Sequence, residues 1–134
     1  MLVSAAAVLA VTLAGCGGDD EDAKGGKDCP SAPAPLTGPS GLPAGFPTPV
    51  GVVLTSTRAA GPSTVAEGYA EEDLGDVYDE WKKALGAPPW SVTKSEHESH
   101  DAEVNFAGPA TSGQVRLGEA CQGRTSVRIT ARTA

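Results

Sequence analysis

Basic residues are scarce in this sequence. Lys and Arg together number 10 against 17 Asp and Glu, which gives a formal net charge of −7. Because phosphate binding needs a basic face, this balance argues against a nucleic-acid partner. It also argues against adhesion to anionic lipid head groups by anything other than attached acyl chains. Seven acids and no base lie within residues 67–80.

The sequence also lacks an apolar segment long enough to cross a membrane permanently. Residues 1–14 form an uncharged apolar run, whereas a membrane span needs about 20 apolar residues. The run has instead the length of the apolar region of a secretory signal. A buried core helix is the alternative, but the glycines and acids that follow the run make a poor helix continuation.

Two sequence motifs that are common in enzymes are missing as well. The chain has neither a G-x-S-x-G elbow nor a phosphate-binding glycine loop. Its two histidines, His97 and His100, lie among acids, but they are three residues apart in a segment typical of strand and loop. Zinc-protease helices place two histidines four residues apart. We therefore expect no catalysis, no metal and no cofactor, with a metal-binding or hydrolytic site at His97 and His100 as the alternative.

The end of the apolar run carries a recognisable motif. Leu13-Ala14-Gly15-Cys16 resembles the lipobox of bacterial prolipoproteins, and a glycine- and acid-rich stretch follows it. The resemblance implies that residues 1–15 are a signal peptide and that Cys16 becomes the lipid-modified first residue of the mature protein. Two or three acyl chains anchor a protein stably, whereas one is marginal. The expected location is the extracytoplasmic side of the cell membrane.

Two further cysteines remain if Cys16 carries lipid. Cys29 and Cys121 are then an even pair in an oxidising compartment, where a disulfide is the ordinary expectation. Two isolated cysteines supply too few ligands for a zinc-thiolate site. We therefore predict a disulfide bond between Cys29 and Cys121.

Composition divides the remaining chain into a tether and one domain. Residues 16–41 are rich in Gly, Asp, Pro, Ser and Ala, and cannot bury enough apolar surface to offset the entropy of ordering. We assign them to a lipid-anchored disordered tether and residues 42–134 to a small domain. Leu42, Phe46 and Val50 are expected to pack at the edge of that domain.

One helix is the clearest local prediction. An apolar stripe follows helical spacing from Leu74 to Leu85. Asp73 is placed to cap its start, and Gly86 with the prolines after it ends it. The stripe consists of Leu74, Val77, Tyr78, Trp81, Ala84 and Leu85.

The other segments of the domain favour strands joined by turns. Alternating or β-branched stretches predict two strands before the helix and three or four after it. The fold class is therefore α+β, an antiparallel sheet of about five or six strands with one amphipathic helix on one face. The predicted strands are residues 52–58, 65–71, 90–96, 102–106, 114–119 and 125–131.

The last two strands suggest a binding surface. If their apolar residues face the helix, their alternate residues line the opposite face, which is polar and locally basic on an acidic protein. An ordinary solvated face with Arg paired to carboxylates is one interpretation, and docking of an acidic partner or ligand is the other. The candidate binding residues are Gln114, Arg116, Arg128 and Arg132.

From these observations we expect a lipid-anchored protein, monomeric, whose domain is a binding or interaction module and not an enzyme. Its expected partners are the bilayer, through acylated Cys16, and an envelope protein. The domain resembles the small uncharacterised domains that follow lipoboxes in high-GC bacteria, a likeness that implies no particular ligand. A structural component of the cell envelope is a further alternative.

Overall fold

The computed structural model describes residues 28–134. Residues 1–27 lie outside the described residues. They comprise the predicted signal peptide and the first part of the predicted tether, including Cys16. The described part contains one helix and six strands, in the order β1 (Val52–Ala60), β2 (Ser63–Ala70), α1 (Leu74–Leu85), β3 (Ser91–His97), β4 (Asp101–Gly108), β5 (Thr111–Cys121) and β6 (Arg124–Thr133).

The six strands form one antiparallel sheet in the order β1-β2-β6-β5-β4-β3. Strands β3 to β6 follow one another as a meander, and the last strand returns to pair with β2. The helix connects β2 to β3, and packs against β3, β4, β5 and β6. The predicted α+β class, with one helix on an antiparallel sheet, is confirmed.

The helix has the bounds that its sequence predicts, and five of the six residues of the predicted stripe are buried, while Ala84 is half-buried. Leu74, Val77, Tyr78, Trp81 and Leu85 are buried, while Lys82 and Lys83 lie in the last turn, near the negative end of the helix dipole. Asp73 occupies the N-cap position, but its side chain makes no capping hydrogen bond. Its backbone carbonyl instead accepts the first helical bond from the Val77 N–H at 3.1 Å.

Alternation along each strand separates the sheet into a core face and an open face. The core face holds most of the buried aliphatic side chains and Phe106, and α1 covers its β3–β6 side. We call the opposite surface the open face. Strand residues buried on the core face are Ala66, Ala70, Ala102, Val104, Phe106, Val115, Leu117, Val127, Ile129 and Ala131.

An irregular segment before β1 completes the core. Phe46 lies with its ring centroid 5.3 Å from Trp90, 5.4 Å from Phe106 and 6.1 Å from Trp81. Leu42 also packs against the core, as predicted. The prediction for Val50 was wrong, because it is 96% exposed in the turn that leads into β1.

Residues 28–41, which composition assigns to the tether, contact the sheet at several points. The Leu36 N–H donates to the Leu54 carbonyl at 2.7 Å, on the edge strand β1. The Arg124 guanidinium donates to the Pro30 carbonyl at 2.8 Å. An edge strand otherwise presents unpaired backbone groups to other chains, so this segment also protects the edge of the sheet.

Cys29 and Cys121 are paired, in agreement with the sequence prediction. Their Cα atoms are 5.2 Å apart in the geometry of a disulfide, across a sequence separation of 92 residues. Cross-links that close loops of this length restrict the unfolded chain and contribute up to about 4 to 5 kcal/mol. The pair therefore attaches the start of the described chain to the β5–β6 hairpin.

Within residues 28–134, no helix has the length and apolar character needed to cross a membrane.

The helix packing makes a stability prediction centred on Trp81, whose side chain is fully buried. Trp81→Ala should lower the free energy of unfolding by about 3 to 5 kcal/mol, because it leaves a large cavity between helix and sheet. Trp81→Phe should cost much less, since it keeps most of the ring and removes a buried Nε1–H that has no acceptor among the described residues.

Urea denaturation of the two variants measures this difference, with Lys83→Ala as an exposed control on the same helix. A loss below about 1 kcal/mol for Trp81→Ala would contradict the helix placement.

Candidate anion-binding face

The five arginines of the chain all lie on strands and on one side of the sheet. Cross-strand register places Arg58 on β1, Arg116 on β5, and Arg128 and Arg132 on β6 on the open face. Arg124 stands at the end of the same face, with its guanidinium 5.2 Å from the Tyr69 ring centroid. A protein of net charge −7 therefore has a face rich in arginine.

Arg116 and Arg128 form the centre of this face. They are direct cross-strand partners on β5 and β6, and like charges in this position repel. Arg128 Nε donates to Glu67 Oε1 at 2.8 Å. Arg116 makes no side-chain hydrogen bond or ion pair with any of residues 28–134. Its other cross-strand neighbour, Glu103, accepts instead from Asn105 Nδ2 at 2.8 Å.

A shallow depression lies beside the two guanidinium groups. It has a volume of about 400 Å³, and Thr55, Glu67, Arg116 and Arg128 contribute to its lining. Small residues of β5 and β6 form part of the same lining: Gly118 has no side chain, and the Ser126 hydroxyl donates to the Gly118 carbonyl at 3.1 Å. The absence of larger side chains there leaves room for a group placed between the two cations.

Gln114 and Arg132 lie on the same face but line a second depression, of about 530 Å³. Gln114 Nε2 donates to Asn105 Oδ1 at 3.3 Å, and Asn105 donates in turn to Glu103. Thr130 and Ser112 add hydroxyl groups to this depression. The structure thus places all four predicted binding residues on the open face. Arg116 and Arg128 lie beside the first depression, whereas Gln114 and Arg132 line the second.

His97 and His100 have separate surroundings. The His97 ring lies 4.9 Å from the Tyr78 ring on the helix. His100 Nδ1 contacts Glu119 Oε2 at 2.7 Å on the surface. Within the part of the chain that the structure describes, no group of three or more His, Cys, Asp or Glu residues is arranged to hold a metal ion. The two histidines therefore do not belong to one cluster of possible metal ligands.

Ser91 and Lys94 have the S-x-x-K spacing of some serine acyl-transfer enzymes. Both are exposed on the edge strand β3, where a bulge follows Val92. Lys94 Nζ pairs with Glu96 Oε1 at 2.9 Å, and this partner raises the lysine pKa. A lysine base must be neutral to take a proton from serine, so this pairing favours the wrong protonation state.

An acidic cleft lies at the start of the helix and was not among the predicted sites. Its volume is about 540 Å³. Burial raises the pKa of Glu80, and the negative charges of Glu72 and Asp76 and a hydrogen bond with Glu72 raise it further. The run of seven acids in the sequence was the available signal. Six carboxylates and one glycine line the cleft: Glu71, Glu72, Asp73, Asp76, Asp79, Glu80 and Gly123.

No protein-family model, curated protein or solved structure matches this chain at a significant level.

The acidic cleft predicts a dependence of stability on pH. The folded state raises the Glu80 pKa above its ordinary value of 4.5, so it holds this proton more tightly than the unfolded chain does. The contribution of Glu80 to stability therefore falls as pH rises from about 4.5 through the raised pKa. Glu80→Gln should remove this decline and be more favourable, relative to the unchanged protein, at pH 7 than at pH 4.

Denaturant melts between those two pH values measure the slope. Asp79→Asn removes one charge from the neighbouring position of the same cleft and serves as the control. Equal slopes for Glu80→Gln and the unchanged protein would contradict the assignment.

Proposed function

We propose that this chain is a lipid-anchored extracytoplasmic protein whose domain binds an anionic ligand on the open face of its sheet. The observation that carries the proposal is the Arg116–Arg128 pair, two adjacent cations beside a depression lined partly by Gly118 and Ser126. Arg128 pairs with Glu67, whereas Arg116 has no side-chain partner among residues 28–134.

The chemistry of arginine suits this role. A guanidinium group is planar, carries five N–H donors and binds carboxylate or phosphate oxygens in pairs. An anion placed between Arg116 and Arg128 would accept from both groups and would relieve their mutual repulsion. Charge-assisted bonds of this kind are the strongest hydrogen bonds that surface side chains form.

The same side chains favour binding over catalysis. Arginine keeps its proton at all ordinary pH values, so it neither donates nor accepts one during a reaction. The neighbouring depression adds amides and hydroxyls from Gln114, Asn105 and Thr130, which orient a polar ligand by hydrogen bonds. We therefore assign the four residues Gln114, Arg116, Arg128 and Arg132 to recognition.

The anchor in this proposal is Cys16, on the resemblance of Leu13–Cys16 to a lipobox. Cys16 precedes Cys29 by 13 residues, and a chain of that length spans at most about 45 Å. The described chain begins beside the β5–β6 hairpin, because Cys29 is joined to Cys121 there. The domain would thus be held close to the bilayer by that end of the sheet.

Ligand binding is tested by titrating the protein with poly-L-glutamate at low ionic strength in a calorimeter. The double variant R116Q/R128Q should bind about tenfold more weakly, because it removes both guanidinium groups from the depression. The matched control K82Q/K83Q removes two positive charges from the helix and should change the affinity by less than about twofold. Equal losses in both variants would show general attraction to charge and would contradict the site.

Anchoring is tested by cell fractionation of a Cys16→Ser variant. Since no segment of the sequence has about 20 consecutive apolar residues, the variant should move to the unprocessed or the soluble fraction. Ser4→Cys, as a control, adds a thiol within the apolar run and should leave anchoring unchanged. A Cys16→Ser protein that is still processed and membrane-bound would contradict the lipoprotein proposal.

A further inference from the structure

We propose that the chain's own acidic segment, the consecutive residues Asp19, Asp20, Glu21 and Asp22, binds the Arg116–Arg128 pair and competes there with an external anionic ligand. The proposal rests on the anion-binding face described above, and it adds a specific intramolecular occupant. These four acids lie outside the described residues, and they are the densest run of acids that precedes the domain.

The position where the described chain begins makes this contact reachable. Cys29 is joined to Cys121, and the Pro30 carbonyl accepts from Arg124 Nη1 at 2.8 Å. The chain therefore enters the domain at the same end of β6 at which the arginine face starts. Arg128 is four residues further along β6, a distance of about 13 Å.

The length of the preceding segment matches this distance. Asp22 lies six residues before Asp28, so it reaches up to about 20 Å from that point. Asp19 lies nine residues before Asp28 and reaches about 30 Å. This range includes Arg128 and its cross-strand partner Arg116.

The pairing already present on the face directs the acids toward its centre. Arg124 is engaged by Glu71, with Nη2 and Oε1 2.7 Å apart, and by Pro30. Its side chain is only 10% exposed. Arg128 is 57% exposed at the side chain, and Glu67 is its one ion-pair partner within the described residues. Arg116 is exposed and has none among residues 28–134. The first cations open to an approaching carboxylate are therefore Arg116 and Arg128.

The acidic segment and the arginine pair carry opposite charges and are joined by a short length of chain. Individual exposed ion pairs are weak and are screened by salt, but a short covalent connection gives a high effective concentration.

Competition follows from this arrangement. An external polyanion would have to displace the acidic segment from Arg116 and Arg128, so neutralising that segment should strengthen external binding. The full-length chain in micelles of a neutral detergent is the appropriate sample, with ¹⁵N labelling of arginine. Its five arginines give separate Nε–H signals that report on each guanidinium group.

The test compares D20N/D22N with D76N/D79N, which removes the same charge from the exposed surface of the helix. D20N/D22N should shift the Nε–H signals of Arg116 and Arg128, leave that of Arg124 in place, and raise the affinity for poly-L-glutamate about threefold to tenfold. Raising the salt concentration in the unchanged protein should move the same two signals in the same direction. D76N/D79N should move neither signal and change the affinity by less than about twofold.

Signals of Arg116 and Arg128 that do not respond to D20N/D22N would overturn the proposal. If poly-L-glutamate still binds in an Arg116- and Arg128-dependent way, this result leaves the external binding site standing. If instead the signals respond but poly-L-glutamate binds neither protein, the intramolecular contact is supported and the external ligand class is wrong.

Discussion

The register between β5 and β6 is the constraint on which both faces of this domain depend. It places Val115 opposite Ile129 and Leu117 opposite Val127 on the core face, and in the same step it places Arg116 opposite Arg128 on the open face. A slip of one residue would bury the arginines and expose the aliphatic side chains. Burial of the core stabilises this register. It therefore also holds Arg116 and Arg128 side by side, although their contact by itself is not stabilising.

Charge is segregated around this sheet. The arginines occupy the open face, whereas six carboxylates gather in the cleft at the start of the helix. Burial raises the pKa of Glu80, and the neighbouring charges of Glu72 and Asp76 raise it further. This concentration of negative charge is tolerable because the cleft is open to solvent and the charges are screened. The domain consequently presents two surfaces of opposite sign to its surroundings in spite of its net charge.

One corner of the domain combines several constraints. The Cys29–Cys121 pair, the contacts of Arg124 with Glu71 and Pro30, and the Thr125 hydroxyl donating to the Glu72 carbonyl all lie near the β5–β6 turn. These contacts join the entering chain, the end of β2 and the last hairpin.

Local patterns in the sequence were sufficient for much of this fold. Helical spacing determined Leu74–Leu85, and period-two alternation determined the six strands and the face on which Arg116 and Arg128 stand, because both patterns depend only on neighbouring residues. The strand order, with β6 between β2 and β5, was not predictable. The residues of a strand do not show which other strand it will pair with. Composition likewise assigned residues 28–41 to the tether, because the long-range contacts of Cys29, Pro30 and Leu36 are invisible in a local window. The sequence by itself determined the elements and their faces. Only the tertiary structure decided which strands meet, and therefore that Arg128 pairs with Glu67 while its neighbour Arg116 has no such partner within residues 28–134, because these contacts join residues far apart in the chain.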